Sequence, residues 1–394
     1  APFTMRAARK ASLYRHEVTN AAVQAVLAAV DRVQSGNFLP QRVPGKAHPL
    51  MSQALRKIDW QSLSTAEILA RLNAADGFPG VADSLFGQPC HLFDAWPEAT
   101  LRGVPGELIA RRETALCRAT VDGALWMGHV KRPGSIKLPA TLAFPESVAL
   151  PESRLDTWWK SPAATWQDIA YEEDGTVGTL HFEFYNGAMS TVQCQRLQAA
   201  LRWAKQRPVR VLVLMGGVDF WSNGIHLNVI EAASLGDGSA ADESWANINA
   251  MNDLVLAIIT NTRQLTVAAL QGNAGAGGVF LSLAADHIYA RTSVILNPHY
   301  KNMGNLYGSE YWTYLLPRRV SSEQANQLMD TRLPIGAVEA QQLGLIDDCL
   351  ALDHADFVKK IREIATGMAA STDYLQQLKK RSEEHTSELQ SLTT

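Results

Sequence analysis

Two glycine-bearing turns hold the residues best placed for chemistry. The first reads Gly216-Gly217-Val218-Asp219-Phe220-Trp221-Ser222-Asn223-Gly224-Ile225-His226-Leu227 and follows an apolar run at 209–215. The second reads Gln271-Gly272-Asn273-Ala274-Gly275-Ala276-Gly277-Gly278-Val279-Phe280 and runs straight into a helical pattern. A helix start exposes unpaired N–H groups and the positive end of a dipole. Glycine there lets a ligand oxygen approach the main chain closely. Two such turns facing one point make an oxyanion hole, in which each donor is worth about 3 kcal/mol to a developing alkoxide. The plainer alternative is glycine serving only tight helix–strand packing. Other glycine-loop chemistries fail on spacing. Phe280 stands where GxGxxG needs its third glycine, no Lys-Ser/Thr pair follows to make a phosphate loop, and Phe220 spoils GxSxG around Ser222.

A second constellation lies at 296–319, where His299, Tyr300, Tyr307, Glu310, Tyr311, Trp312 and Tyr314 crowd one stretch. Tyrosine–glutamate pairs can donate, accept or shuttle a proton near a polarised carbonyl. Taken alone, the stretch reads as an aromatic helix face at an interface. Beside an oxyanion hole it reads as acid–base machinery, with Tyr300 and Glu310 the best candidates. His226 fits a buried supporting role as well as a catalytic one. The run from Ser244 to Met251 reads as the start of a wall helix.

The elements that must position these residues alternate. Strand patterns at 177–184, 209–215, 265–271 and 287–290 interleave with helical patterns at 189–206, 244–261, 278–285, 321–330 and 336–343. Such alternation predicts β/α layering with a largely parallel sheet. Upstream, Val23, Val26, Leu27, Val30 and Val33 predict a helix over 5–34, ended by Gly36. Arg6, Arg9, Lys10 and Arg15 near its start read either as a solvated face or as a phosphate-binding patch. An irregular connector follows at 37–50. Ser64 and Glu67 form a capping box. Short strand patterns at 108–110, 115–121 and 125–130, with Asp122-Gly123 as a hairpin turn, predict a small antiparallel barrel. Residues 134–165 carry four prolines and read as a linker.

Composition bounds the rest. The chain has 394 residues, 46% hydrophobic and 19% charged, with a formal net charge of −3. This is a globular composition for two or three domains, without the basic field that nucleic acid demands. Cys90, Cys117, Cys194 and Cys349 form no CxxC pair, so no disulfide framework and no cysteine metal site is expected; a reducing, cytoplasmic setting is. The uncharged run between Arg263 and Asp286 is too polar and glycine-rich to face lipid. The chain opens Ala-Pro-Phe-Thr and reads as cut from something longer. Residues 381–391 read RSEEHTSELQS, the string that a common sequencing adapter gives on translation. Residues 381–394 are therefore expected not to be native.

Two resemblances sharpen these readings. The Ile58-Asp59-Trp60, Asp76-Gly77-Phe78-Pro79-Gly80, Pro105-Gly106-Glu107-Leu108 and Val121-Asp122-Gly123 runs resemble the C-terminal domain of formyltransferases that use formyl-tetrahydrofolate. The resemblance implies an OB-like domain at 48–140, and makes 1–47 a helix and connector left over from the upstream folate domain. The two glycine turns, Asn186-Gly187-Ala188-Met189-Ser190 and Leu343-Gly344-Leu345-Ile346-Asp347 resemble the crotonase (enoyl-CoA hydratase/isomerase) superfamily. That implies a fold in the α/β class, a crotonase-like ββα spiral at 166–365 reached by a linker at 141–165. It also implies an acyl-CoA thioester as ligand. By motif match, the N–H groups of Ile225 and Gly277 are the oxyanion donors. Asn186, Ala188, Phe220, Asn223, Gly224 and Gly278 belong to the motifs that line the coenzyme A site. The sequence departs from the hydratases where they carry two glutamates. Phe280 replaces one, and His299, after Pro298, replaces the other and joins the catalytic candidates. Hydration is therefore not expected.

The pairing of these two domain types resembles a family of hydrogenase maturation factors. It implies that the intact protein moves a formyl group from formyl-tetrahydrofolate to coenzyme A. Decarbonylation of formyl-CoA then yields carbon monoxide for the [NiFe]-hydrogenase, with the maturation machinery as partner. The alternative is an enoyl-CoA hydratase/isomerase-type reaction on another short acyl-CoA.

Overall fold

Apolar side chains at three- and four-residue spacing and strand patterns of period two sort this chain into two units, 1–154 with 162–166 and 155–161 with 167–394. The computed structural model describes residues 2–39, 45–236, 238–300, 307–351 and 353–392, with side chains to 383. The expectations for Pro40, Pro44 and 301–306 lie outside the described residues, as do residues 393–394 of the tail.

In the first unit a short helix α1 (Lys10–Leu13) passes through a wide π turn into α2 (Thr19–Gln34). The predicted helix thus starts at Lys10 rather than residue 5, where Arg6 reaches back to pair with Glu17 and Ser12. Val23, Val26, Leu27, Val30 and Val33 are all exposed, so the apolar stripe that predicts the helix does not enter a core. After α3 (Gln53–Arg56), α4 (Thr65–Ala75) opens with the expected capping box, and Ile68 and Leu72 are buried. Strands β1 (Val81–Leu85), β2 (Gln88–Glu98), β3 (Leu108–Arg112), β4 (Ala115–Ala119), β5 (Ala124–Lys131) and β6 (Lys137–Pro139) pair antiparallel in the order β1-β2-β5-β4-β3, with β6 on β5. The Asp122-Gly123 turn does join a hairpin, with Ala119 opposite Ala124. The stretch read as linker from residue 134 begins inside this unit: β6 and α5 (Ala140–Ala143) belong to it, because Leu138, Ala140 and Phe144 are buried.

The second unit starts with β7 (Ile169–Asp174) and β8 (Val177–Phe182), an antiparallel pair. Ser190 then caps α6 (Thr191–Ala204) with a capping box to Gln193. Next come β9 (Val211–Met215), β10 (Phe220–Ser222), α7 (Leu227–Ala233), α8 (Ala240–Ile259), β11 (Leu265–Leu270), β12 (Asn273–Gly275) and α9 (Gly277–Leu283). They are followed by β13 (His287–Arg291), β14 (Ile295–Asn297), α10 (Trp312–Leu315), α11 (Ser322–Thr331), β15 (Ile335–Gly336), α12 (Ala337–Gln342), β16 (Asp348–Leu350), α13 (His354–Ala370) and α14 (Tyr374–Leu392). One sheet runs β16-β13-β11-β9-β8-β7 and is parallel except for its last pair. A smaller sheet runs β10-β12-β14-β15. Strands 9 and 11 read as continuous apolar runs because both faces of the large sheet are covered. One side packs on α6, α8 and α9, and the other on α13 through Phe357, Ile361 and Ala365. Among the described residues no helix is long and apolar enough to cross a membrane.

Two cations close the C-terminal end of α8. Lys205 Nζ donates to Ala257 O at 2.5 Å, and Arg381 donates to Ile258 O at 2.6 Å and to Ile259 O. They meet the negative end of the helix dipole and its orphan carbonyls. Burial, then Arg381 and Arg202, push the Lys205 amine down to about 8. Arg381 is itself buried and pairs with Asp286. Lys205→Met, which leaves the Ala257 carbonyl without its donor, should therefore cost about 1–3 kcal/mol in denaturant titration. Unchanged stability would show the contact to be idle.

Candidate functional site

The first glycine turn is tied to the entry of α6. Asn223 N–H donates to Gly187 O at 2.7 Å, Met189 N–H to Gly224 O at 2.9 Å, and Asn223 Nδ2 to Asn186 O at 2.8 Å. A Cβ on Gly187 would lie 2.7 Å from that of Phe220, so the two segments touch main chain to side chain. Asn186 and Gly224 hold left-handed φ values of 56° and 79°. Asn186, Ala188, Phe220, Asn223 and Gly224 are thereby brought to one place. Ile225 follows, partly exposed. Its successor His226 is buried and caps α7, its Nδ1 accepting Val229 N–H at 3.3 Å. That favours the supporting role for His226.

The second turn arrives from β12. Ala276 sits at φ 46°, ψ −126°, a region glycine normally occupies, and aims the start of α9. Gly277 and Gly278 are buried there. Gly278 packs against the Ser222 carbonyl, and its own carbonyl accepts Trp221 Nε1 at 2.9 Å. A Cβ built on Gly224 would be 3.3 Å from Gly277 N. Both turns therefore meet, with Ile225 next to Gly224 on one side and Gly277 on the other. These glycines are required by close approach between the turns, so the packing alternative and the ligand-binding one coincide in space.

Tyr300 and Glu310 also come together. Tyr300 Oη donates to Glu310 Oε2 at 2.5 Å, and both side chains are buried. The Tyr300 ring stacks on Phe280 at 5.6 Å between centroids and 16° between planes. A Cβ on Gly277 would fall 2.5 Å from the Glu310 carboxyl carbon, which sets the carboxyl directly over the α9 start. Burial raises the Glu310 carboxyl above its ordinary range, against the opposing effect of the Tyr300 hydroxyl. Burial and the neighbouring carboxyl hold the Tyr300 phenol well above its usual value. The pair thus keeps a proton in a dry place. Phe280 is fully buried beneath the Tyr300 ring. His299 is buried, and among the described residues neither ring nitrogen is hydrogen-bonded. The basic patch lies in the first unit, where Arg6 and Arg9 pair with Glu17 and Asp94.

Sequence reading passed over two residues of α8. Asn247, fully buried, accepts His226 N–H on Oδ1 at 3.1 Å and donates to Met189 O at 2.9 Å. Asn252 Oδ1 accepts Glu310 N–H at 2.7 Å. Their signal was present as amides inside an apolar helical run.

The two sheets and the meeting of their glycine turns match a known class. Residues 179–394 match the enoyl-CoA hydratase/isomerase family, and residues 50–144 match the formyl transferase C-terminal domain. The chain belongs to the enoyl-CoA hydratase/isomerase family. It is 51% identical over 360 residues to the hydrogenase maturation factor HoxX of Bradyrhizobium diazoefficiens, covering 89% of this chain and 61% of that protein. The crystal structure of a HypX variant from Aquifex aeolicus superposes with a TM-score of 0.93 at 43% identity, over 98% of this chain and 71% of that one. HypX from the same organism in complex with tetrahydrofolic acid gives a TM-score of 0.91 at 44% identity, over 97% and 68%. A 4-chlorobenzoyl coenzyme A dehalogenase of Arthrobacter is 28% identical over 56% of this chain and 79% of that protein. The chain thus spans about three fifths of the length of the HoxX relative.

Proposed function

We propose that the second unit binds formyl-CoA and splits it into carbon monoxide and coenzyme A, serving hydrogenase maturation. The observation that carries this reading is the Tyr300–Glu310 pair set over Gly277. The N–H groups of Ile225 and Gly277 polarise the formyl carbonyl. The pair acts as one relay. It takes the proton from the formyl carbon, the carbon–sulfur bond breaks with its electrons going to sulfur, and the relay returns the proton to the thiolate. The reaction balances as formyl-CoA giving carbon monoxide and CoA thiol, with no net proton. Phe280 supports the choice over hydration. With an aromatic ring in place of a second carboxyl, α9 offers no base for water, and hydrolysis to formate is the loss to be avoided. Asn186, Ala188, Phe220, Asn223, Gly224 and Gly278 line the coenzyme A side, and His299 lies beside Tyr300 in sequence.

The formyl group comes from formyl-tetrahydrofolate in the intact protein, a reading supported by the formyl transferase C-terminal match and by the folate complex of the HypX relative. Incubation with formyl-CoA and reduced myoglobin in a sealed cuvette should give the carbonyl-haem absorbance shift, one equivalent per thiol released. Release of formate and thiol without that shift rejects the proposal. Turnover of crotonyl-CoA with none of formyl-CoA would instead favour an enoyl-CoA hydratase/isomerase-type reaction.

A further inference from the structure

Glu310 and Tyr311 are consecutive non-glycine residues at φ 55° and 54°. Side chains disfavour that conformation, and a pair of them in a row needs something external to hold it. Tyr311 opens α10, its carbonyl accepting Leu315 N–H at 2.9 Å, and no side chain caps that helix. The residue that reaches in from elsewhere is Asn252, fifty-eight positions away on α8, whose Oδ1 accepts Glu310 N–H at 2.7 Å.

We propose that Asn252 is a positioning residue: it fixes the left-handed Glu310–Tyr311 corner so that the carboxyl lies against Tyr300 Oη and over Gly277. This rests on the reading of Tyr300 and Glu310 as the proton relay. Asn247 does the parallel task one and a half turns earlier on the same helix. Its Oδ1 holds His226 N–H at 3.1 Å, one residue past Ile225, and its Nδ2 holds Met189 O. Helix α8 is therefore the common reference for the oxyanion turn and the relay. It is anchored at both ends, by Ser239 Oγ accepting Asp242 N–H at 3.2 Å and by Lys205 on the Ala257 carbonyl of its last turn.

Asn252→Leu keeps the branching at Cγ in a somewhat larger side chain and places a strong helix former there while deleting the acceptor. In the full chain it should lower kcat for carbon monoxide release about 10–100-fold, as a displacement near 1 Å does, with KM within about twofold. It should also shift the infrared band of the Glu310 carboxyl, assigned by its loss in Glu310→Gln. Asn252→Asp retains the acceptor oxygen and should restore both readouts. A leucine variant with the wild-type band overturns the proposal, whatever its turnover, and so does an aspartate variant that restores neither. If the wild type makes no carbon monoxide from formyl-CoA, the reading of the reaction fails, while the infrared comparison still decides the role of Asn252.

Discussion

On the proposed reaction, Glu310→Gln should reduce carbon monoxide release from formyl-CoA about 10²–10⁴-fold, the usual worth of a positioned acid–base group. The amide keeps the shape and can still accept the Tyr300 hydroxyl, but it cannot take a proton. Tyr300→Phe should fall in the same range and leave the Phe280 stack intact. Because the two groups share one relay, the double variant should lose little more than either single one. Additive losses would show two independent functions. Stability should move oppositely. Burial raises the folded-state pKa of Glu310, so the folded protein holds this proton more tightly than the unfolded chain. That contribution is full below the unfolded value near 4.5 and is lost as pH climbs through the raised one. The glutamine variant should therefore gain stability relative to wild type as pH rises above the unfolded value, read from denaturant midpoints. A gap that stays constant with pH would mean the carboxyl is already ionised throughout.

Gly277→Ala should be nearly as damaging to turnover, by about 10²-fold or more, although it adds one methyl group. Alanine favours a helix interior by about 1 kcal/mol over glycine. Here the methyl would lie 2.5 Å from the Glu310 carboxyl carbon, so the carboxyl must leave its place over the helix start. Overpacking of this kind costs about 1–3 kcal/mol. Adding Glu310→Ala should make room and return the stability without the activity. The outcome that defeats this account is Gly277→Ala with wild-type turnover, since the relay could not then occupy the position described.

Much of this site is written in local pattern. The two glycine turns lie beside strands that read as apolar runs, and the meeting of Gly224 with Gly277 follows from β10 and β12 being neighbours. Tyr300 and Glu310 could be paired because both carry acid–base groups in one stretch. What holds them could not. The bond from Asn252 to Glu310 joins elements far apart in sequence, and a polar residue inside a helical run carries no mark of its partner. Helix α13 was legible but unread: Phe357, Ile361, Ala365 and Ala369 recur every four residues, after Asp353 as cap. The converse error concerned α2, whose apolar spacing gives the helix correctly and its burial wrongly, because periodicity reports conformation and not what lies opposite. Strands β1 and β2 were missed because polar and proline residues such as Asp83, Pro89 and Pro97 break their alternation.

Ala276 has a consequence for how ligand arrives. Glycine at φ 46°, ψ −126° would leave that peptide free to swing. A methyl group disfavours that conformation, so the contacts around it must hold it, among them the sheet bond from Ala276 N–H to Asn297 O at 3.0 Å. The turn that opens α9 is thus shaped before any ligand enters. Association then spends little entropy on ordering the main chain, and its calorimetric signature should be set by desolvation rather than by folding of a loop.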